Sequence, residues 1–288
     1  MRVCIQAYRE MDKKSVREYL PPLPREAHKG DCGKLLLLCG SVGFAGAACL
    51  AARAALRTGA GLVYLGVPEK IYSIAATGAT EAVVFPLPCD EKGRLSSAGW
   101  GEIQSRLRQA DAVLFGPGLG QSEDIRALLR SILLESPCPV VLDADGINVL
   151  QGHKDILRER SCPVVLTPHD GEFARLYDGP PLGRYGETLA LAGELFSTVL
   201  RKGHRTLISD GRVTFRNRTG NPGMASGGSG DVLSGILTAL LGQGVKLPEA
   251  AAAAAWIHGA AGDLCAAAMG ERGMLPSDLI ETLPQILK

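Results

Sequence analysis

Residues 220–241 read GNPGMASGGSGDVLSGILTALL. Glycine stands at 227, 228 and 230, one aspartate follows at 231, and an uncharged apolar run with helical spacing begins at once. A flexible tether joins domains and is flanked by polar sequence; this stretch runs straight into a helix. The glycines therefore sit at a helix N-terminus, where backbone N–H groups lack partners and the helix dipole favours negative charge. Without Cβ atoms, Gly227, Gly228 and Gly230 let an anion such as a phosphate come close. Asp231 falls in the first turn, beside that anion. Two negative groups side by side repel, so the carboxylate makes sense as a base that takes a proton from an attacking hydroxyl. A plain N-cap is the other reading of Asp231.

Outward from this segment, short β-like runs alternate with helical ones. The expected strands are 34–39, 62–67, 82–86, 112–116, 139–144, 163–167, 206–209 and 212–215. Amphipathic or alanine-rich stretches at about 46–58, 97–108, 122–134 and 184–197 separate several of them. Continuous apolar strands separated by helices indicate a parallel sheet covered on both faces. Asp210-Gly211 between the last two runs signals a hairpin, hence an antiparallel edge. After residue 228 the pattern is almost wholly helical, and PEAAAAAAWIHGAAGDLCAAAMG (248–270) is apolar enough to be buried against the sheet. The expectation is one three-layer α/β/α domain over residues 1–288, with 1–30 as a peripheral helix followed by the proline-rich PPLP.

The totals bound the function. A chain of 288 residues, 46% hydrophobic, can bury a large core. A formal net charge of +1 argues against an electrostatic grip on nucleic acid or acidic membranes, and 5% aromatics argue against base-stacking platforms. No apolar stretch reaches membrane-spanning length, and the N-terminus has no signal-peptide core. The eight cysteines are scattered without CxxC spacing, which argues against a zinc site and for reduced thiols in a cytoplasmic protein.

In open α/β sheets, ligands collect at the carboxyl ends of the strands. Glycine or polar corners follow these runs. GSVGFAGAA (40–48) has neither GxGxxG spacing nor a Walker lysine; it reads as a backbone-lined pocket floor with Ala47 small enough for close approach, or as a tight turn. GPGLG (116–120) reads as a corner whose backbone amides face a ligand, or as an ordinary turn. DADGIN (143–148) offers two carboxylates that could hold magnesium through water, with helix capping the favoured reading of Asp145. His169 in TPHDGEF is a donor to a phosphate or polar substrate, or a satisfied turn residue. Lys202, Gly203, His204, Arg205 and Thr206 form either a phosphate clasp or a solvated basic turn.

GNPGMASGGSGDVLSGILTALLGQG resembles the matching segment of the ribokinase-like superfamily. HKGDCGKLLLLCGSVGFAGAACLAARAALRTGAGLVYLGVPE (28–69), GPGLG, LDADGIN, LTPHDGEF and KGHRT follow in the order seen in its ADP/ATP-dependent NAD(P)H-hydrate dehydratases. The resemblance covers roughly residues 20 to 285. It implies a ribokinase-like fold and repair of hydrated NADH and NADPH (NADHX, NADPHX) by phosphorylating the hydrate hydroxyl and expelling phosphate. Asp231 would be the base and touch the hydrate. Ala47, Gly120, His169 and Asn148 would line the hydrate pocket. Lys202, Gly203, His204, Arg205 and Thr206 would bind the nucleotide, as would Gly227, Gly228, Ser229 and Gly230. The resemblance further implies Mg2+ on the phosphates, ADP rather than ATP as donor from PHDGE, a homotetramer, and an epimerase on a separate chain. The alternatives are a small-molecule kinase of the same superfamily and a nucleotide-binding protein without chemistry.

Overall fold

The computed structural model describes residues 8–288, so the expectation for residues 1–7, with Cys4, lies outside the described residues. The strands are β1 (Arg9–Glu10), β2 (Lys34–Leu38), β3 (Leu62–Pro68), β4 (Val83–Leu87), β5 (Ala112–Phe115), β6 (Val140–Leu142), β7 (Val164–Leu166), β8 (Thr198–Arg201), β9 (Leu207–Ser209) and β10 (Thr214–Arg216). They form one sheet in the order β1-β10-β9-β8-β7-β6-β5-β2-β3-β4. From β4 across to β8 every pairing is parallel; β8–β9 and β9–β10 are antiparallel. The Asp210-Gly211 hairpin forms as expected. Asp210 Oδ1 accepts the N–H groups of Arg212 and Val213, both at 2.8 Å. The two-residue β1 pairs parallel with β10 and takes the outermost place.

The run KLLLL shows why the strands are apolar throughout. Leu35 and Leu37 enter one core, Leu36 and Leu38 the other, and all four are fully buried. Alternate side chains of a strand point to opposite faces, so a sheet covered on both faces needs apolar residues at every position. One face is covered by α1 (Lys13–Tyr19), α2 (Ala45–Arg57), α3 (Tyr72–Gly78), α9 (Ser229–Gly242), α10 (Glu249–Met269) and α11 (Pro276–Ile286). The other face carries α4 (Trp100–Leu107), α5 (Glu123–Glu135), α6 (Asp145–Asn148), α7 (Asp170–Leu176) and α8 (Gly183–Leu195). This is the three-layer α/β/α arrangement that the residue pattern implied.

Small residues set the closeness of the first layer. A Cβ on Gly235 of α9 would stand 2.3 Å from the Ala51 carbonyl oxygen of α2, so only glycine permits that crossing. Ala250–Ala255 of α10 are buried, as expected, whereas the end of that helix reaches solvent and Asp263 turns back to bind the Gly220 N–H at 2.9 Å. Asp263 thereby pins the start of the glycine-rich segment. Two strands lie outside the runs bounded in the sequence. β8 follows a helix expected to reach about 197, which stops at Leu195 because Phe196 adopts a left-handed conformation (φ 49°, ψ 36°). β1 is two residues long, too short for any periodicity to show.

Candidate active site

The chain runs outward from β2 through β3 to β4, then returns and runs the other way from β5 to β8. β2 and β5 are neighbours, so the topological switch point, where ligands of open α/β sheets gather, lies between their carboxyl ends. The two corners there are tied together. Gly40 N–H donates to the Pro117 carbonyl at 2.7 Å, and Ser41 Oγ donates to the Gly118 carbonyl at 2.7 Å. A Cβ on Gly118 would stand 3.2 Å from Ala47 Cβ, which places Ala47 and the 116–120 corner on one wall.

The next corner joins this wall by a carboxylate. Asp145 Oδ2 accepts the Gly120 N–H at 2.8 Å, and its Oδ1 accepts from Asn148 Nδ2 at 3.1 Å. The expected capping role of Asp145 is corrected: the N-cap of α6 is Ala144, without a side-chain bond, and the carboxylate turns to the 116–120 corner instead. Asn148 lies beside Gly120 through Asp145, while its Oδ1 accepts from Arg175 at 2.9 Å. Ala144 has φ 49° and ψ −114°, a strained combination for a residue with a Cβ. The strain lets Asp143 and Asp145, two residues apart, turn to different partners.

Asp143 points inward. It is 1% exposed. Its Oδ1 accepts from Lys202 Nζ at 2.7 Å and Thr167 Oγ1 at 2.8 Å, and its Oδ2 accepts from Ser234 Oγ. Burial alone would raise its pKa, but the Lys202 charge and these hydrogen bonds bring it below the ordinary carboxylate value. Lys202, with 19% of its side chain exposed, also stands 3.8 Å from Glu172 Oε2. Burial opposes its charge; Asp143, Glu172 and Asp231 more than compensate and raise its pKa. The lysine of KGHRT is thus folded inward. Gly203, His204 and Arg205 remain exposed at the corner, and Thr206 Oγ1 donates to the Gly203 carbonyl at 3.0 Å.

His169 caps α7 in a reciprocal box. Its Nδ1 accepts the N–H groups of Gly171 (3.0 Å) and Glu172 (3.2 Å), while Glu172 Oε2 accepts the His169 N–H at 2.9 Å. With Nδ1 occupied as an acceptor, the network assigns the ring proton to Nε2, on a side chain 55% exposed. His169 is therefore a satisfied turn residue, and its Nε2 lies 3.4 Å from Glu172 Oε1.

The glycine-rich segment ends at Gly228, whose φ of 99° serves as the N-cap conformation of α9 without a side-chain cap. A Cβ there would also meet Leu50 Cδ1 at 2.6 Å. The N–H groups of Gly230 and Asp231 have no acceptor among the described residues. A Cβ on Gly230 would lie 3.5 Å from Lys202 Nζ and 3.9 Å from Asp143 Oδ2, so the start of α9 sits directly on the buried ion pair. Asp231 is part-buried, and among the described residues no group donates a hydrogen bond to its carboxylate. Burial first, and the Asp143 charge second, push it up to about 7 against the pull of Lys202. A carboxylate at that value exchanges protons near neutrality. Ser229 Oγ lies 3.2 Å from Nε2 of His258, which burial and then the Lys202 charge hold down at about 4 and therefore neutral.

The structure thus gathers Asp231, Gly230 and Lys202 into one cluster, with Asp143 at its centre and His169 attached through Glu172. Ala47, Gly120 and Asn148 form the neighbouring wall. Thr167, Glu172, Ser234 and His258 were not singled out in the sequence. Thr167 and Glu172 lay within a quoted motif, and His258 stood alone among alanines. Two clefts of about 560 and 290 Å³ open beside Arg175 and Asn148 and are not lined by Asp231. Among the described residues no group of three His, Cys, Asp or Glu is placed to hold a metal.

The family profile described as NAD(P)H-hydrate dehydratase matches residues 35–285. The bifunctional NAD(P)H-hydrate repair enzyme of Moorella thermoacetica is 41% identical over 278 residues, covering 94% of this chain and 52% of that one. The chain therefore spans about half the length of the curated relatives it matches. Among solved structures, the ADP/ATP-dependent NAD(P)H-hydrate dehydratase of Bacillus subtilis, co-crystallised with ATP and Mg2+, superposes with TM-score 0.83 at 30% identity and 96% coverage of both chains. A ribokinase-like superfamily protein of Enterococcus faecalis superposes with TM-score 0.85 at 27% identity, covering 100% of this chain and 98% of that one.

Proposed function

The chain belongs to the NAD(P)H-hydrate dehydratase family, and from that membership we propose that it returns hydrated NADH and NADPH to the reduced dinucleotides, using ADP or ATP. The hydrate carries a hydroxyl next to the ring nitrogen. Asp231 takes the hydroxyl proton, and the oxygen attacks the terminal phosphorus of the nucleotide. The N–H groups of Gly227, Gly228 and Gly230, which have no acceptor among the described residues, face the oxygens of the moving phosphoryl group and stabilise their charge. Phosphate then leaves with the C–O electron pair, pushed by the ring nitrogen, and loss of a proton from the adjacent ring carbon restores the double bond. The products are the reduced dinucleotide, inorganic phosphate and the spent nucleotide.

The observation that carries this reading is Asp231: a half-buried carboxylate without a donor, raised to about 7, in the first turn of a helix whose start is glycine. The residues fit a magnesium ion that arrives on the nucleotide. Asp143 and Asp145 already hold protein donors, and Mg2+ bound chiefly by phosphates and water requires few protein carboxylates. Bound there, it would neutralise phosphate charge. ADP is the donor favoured by the PHDGE segment, with ATP as the alternative. Ala47, Gly120, His169 and Asn148 are assigned to the hydrate, and Gly203–Thr206 to the nucleotide, all within one catalytic domain.

The test is to incubate the purified chain with hydrated NADH and Mg2+, adding ADP in one arm and ATP in the other. Return of the reduced-ring absorbance in either arm, with release of phosphate, is the expected outcome. Absence of recovery in both arms overturns the reading.

A further inference from the structure

Asp143 is the most buried charge of the cluster, and the chemistry just described leaves it without a task. It is a hub for four elements. The carboxylate extends from the end of β6 and binds Thr167 after β7, Lys202 after β8 and Ser234 of α9. Its backbone has little room to shift. A Cβ on Gly116 would stand 1.8 Å from the Asp143 carbonyl oxygen, one on Gly146 would stand 2.4 Å from the Phe115 carbonyl oxygen, and Ala144 is strained between them. Ser234 is one helical turn beyond Gly230 and also donates to its carbonyl at 2.9 Å. The Lys202–Asp143 pair is therefore locked under the helix turn that carries Asp231.

The groups that face Asp231 are few. Asp143 approaches from β6, Lys202 from β8 with Glu172 of α7 behind it, and the Cys39 thiol from the end of β2; His258 of α10 reaches Ser229 in the same turn. Among the described residues Lys202 is the one cation named in this set. A flexible ammonium next to two carboxylates pairs with whichever is better placed, and a carboxylate paired with an ammonium is a weaker base. We infer that Asp143 is a positioning residue: it anchors the Lys202 ammonium at the foot of α9 and so prevents that cation from closing onto Asp231, whose carboxylate stays free to accept a proton. This rests on the reading of Asp231 as the base.

The test needs no substrate. The Asp231 carboxyl carbon is followed by 13C NMR against pH in the nucleotide-free protein, with its signal assigned through Asp231→Asn. The proteins compared are the wild type, Asp143→Asn, Lys202→Met and the double variant. Asp143→Asn removes a negative neighbour and releases Lys202, so the Asp231 midpoint moves down by about one pH unit or more. Lys202→Met moves it up. Once Lys202 is absent, Asp143→Asn removes only its own charge, so its downward shift is smaller than in the wild-type background; this non-additivity is the signature of anchoring. Additive shifts, or an Asp143→Asn midpoint that stays in place, overturn the inference. Should Lys202→Met fail to fold, the double variant, which buries neither charge, is compared with Asp143→Asn. Its midpoint must then lie above that of Asp143→Asn by more than about one unit, the displacement an anchored ammonium would be too distant to cause. If the titrations behave as expected while the wild type never restores the reduced ring, the reading of the reaction fails and the anchoring stands.

Discussion

Asp145 Oδ2 accepts the Gly120 N–H at 2.8 Å and so joins the corner after β6 to the corner after β5. Those corners hold Gly120 and Asn148, both assigned to the hydrate. Asp145→Ala would leave the Gly120 N–H unpaired and release Asn148. Loss of a hydrogen bond to a charged group is worth about 1.5–3 kcal/mol, so the KM for hydrated NADH should rise about tenfold or more with kcat changed far less. The KM for the nucleotide should hold, because KGHRT and the start of α9 are built from other segments. Steady-state kinetics with each substrate varied in turn decides it; a rise confined to the nucleotide would reassign this wall.

The proposed function gives Asp231 the base role. Asp231→Asn keeps the shape of the side chain and removes the proton acceptor, so turnover should fall by at least about 100-fold while nucleotide affinity is retained. In the wild type, kcat/KM should rise with pH along a limb centred near 7 in the free enzyme, since the ionised form is the active one. Calorimetric titration with nucleotide and a pH–rate series measure both. Equal turnover in wild type and variant would favour a nucleotide-binding protein in which this carboxylate performs no chemistry.

His169 caps α7 and is also assigned to the hydrate, two tasks that one substitution can separate. Asparagine is among the best N-cap residues, and its side-chain oxygen can take over the acceptor role of Nδ1. It has no counterpart of Nε2. His169→Asn should therefore keep stability within about 0.5 kcal/mol of wild type and raise the KM for the hydrate. His169→Ala should raise that KM equally and also lose about 1 kcal/mol of stability. Thermal melts together with KM values separate these outcomes. A wild-type KM in His169→Asn would leave His169 as a helix cap alone.

Much of this arrangement was legible in the sequence, and the reasons are physical. Strands buried on both faces must be apolar throughout, so KLLLL, AVLF and the VVL runs announced themselves. Close approaches demand glycine, so Gly116, Gly118 and Gly228 marked the corners. An uncharged helix directly after GGSGD placed Asp231 in a first turn. The partnerships were not legible. Asp143 and Lys202 are 59 residues apart, and they meet only because β7, a strand between them in sequence, is also flanked by their strands in the sheet. His258 reaches Ser229 from a helix whose alanines give no hint of which face meets α9. Spacing along a chain encodes faces of helices and strands; it does not encode which strand ends converge.

The charges of this site also shape stability against pH, in two opposite directions. The folded-state value of Asp231, about 7, lies above its ordinary value of 3.8. Between these values the native state keeps a proton that the unfolded chain has released, so this contribution is present below about pH 4 and is lost as pH rises through 7. The gap corresponds to about 4 kcal/mol. His258 has the reverse sign: its folded value of about 4 lies below 6.5, so its contribution is present above 6.5 and is lost as pH falls through about 4, amounting to about 3 kcal/mol. Between about pH 4 and 6.5 the two slopes oppose each other, and only the Asp231 slope continues above that window. Asp231→Asn should therefore stabilise the protein increasingly above pH 5, reaching a gain of up to about 4 kcal/mol beyond pH 7 with little change near pH 4. His258→Gln should flatten the acid arm of the curve. Urea unfolding from pH 4 to 8 of the three nucleotide-free proteins measures both, and an Asp231→Asn gain that does not grow with pH would show that the carboxylate is not held in its neutral form at the helix start.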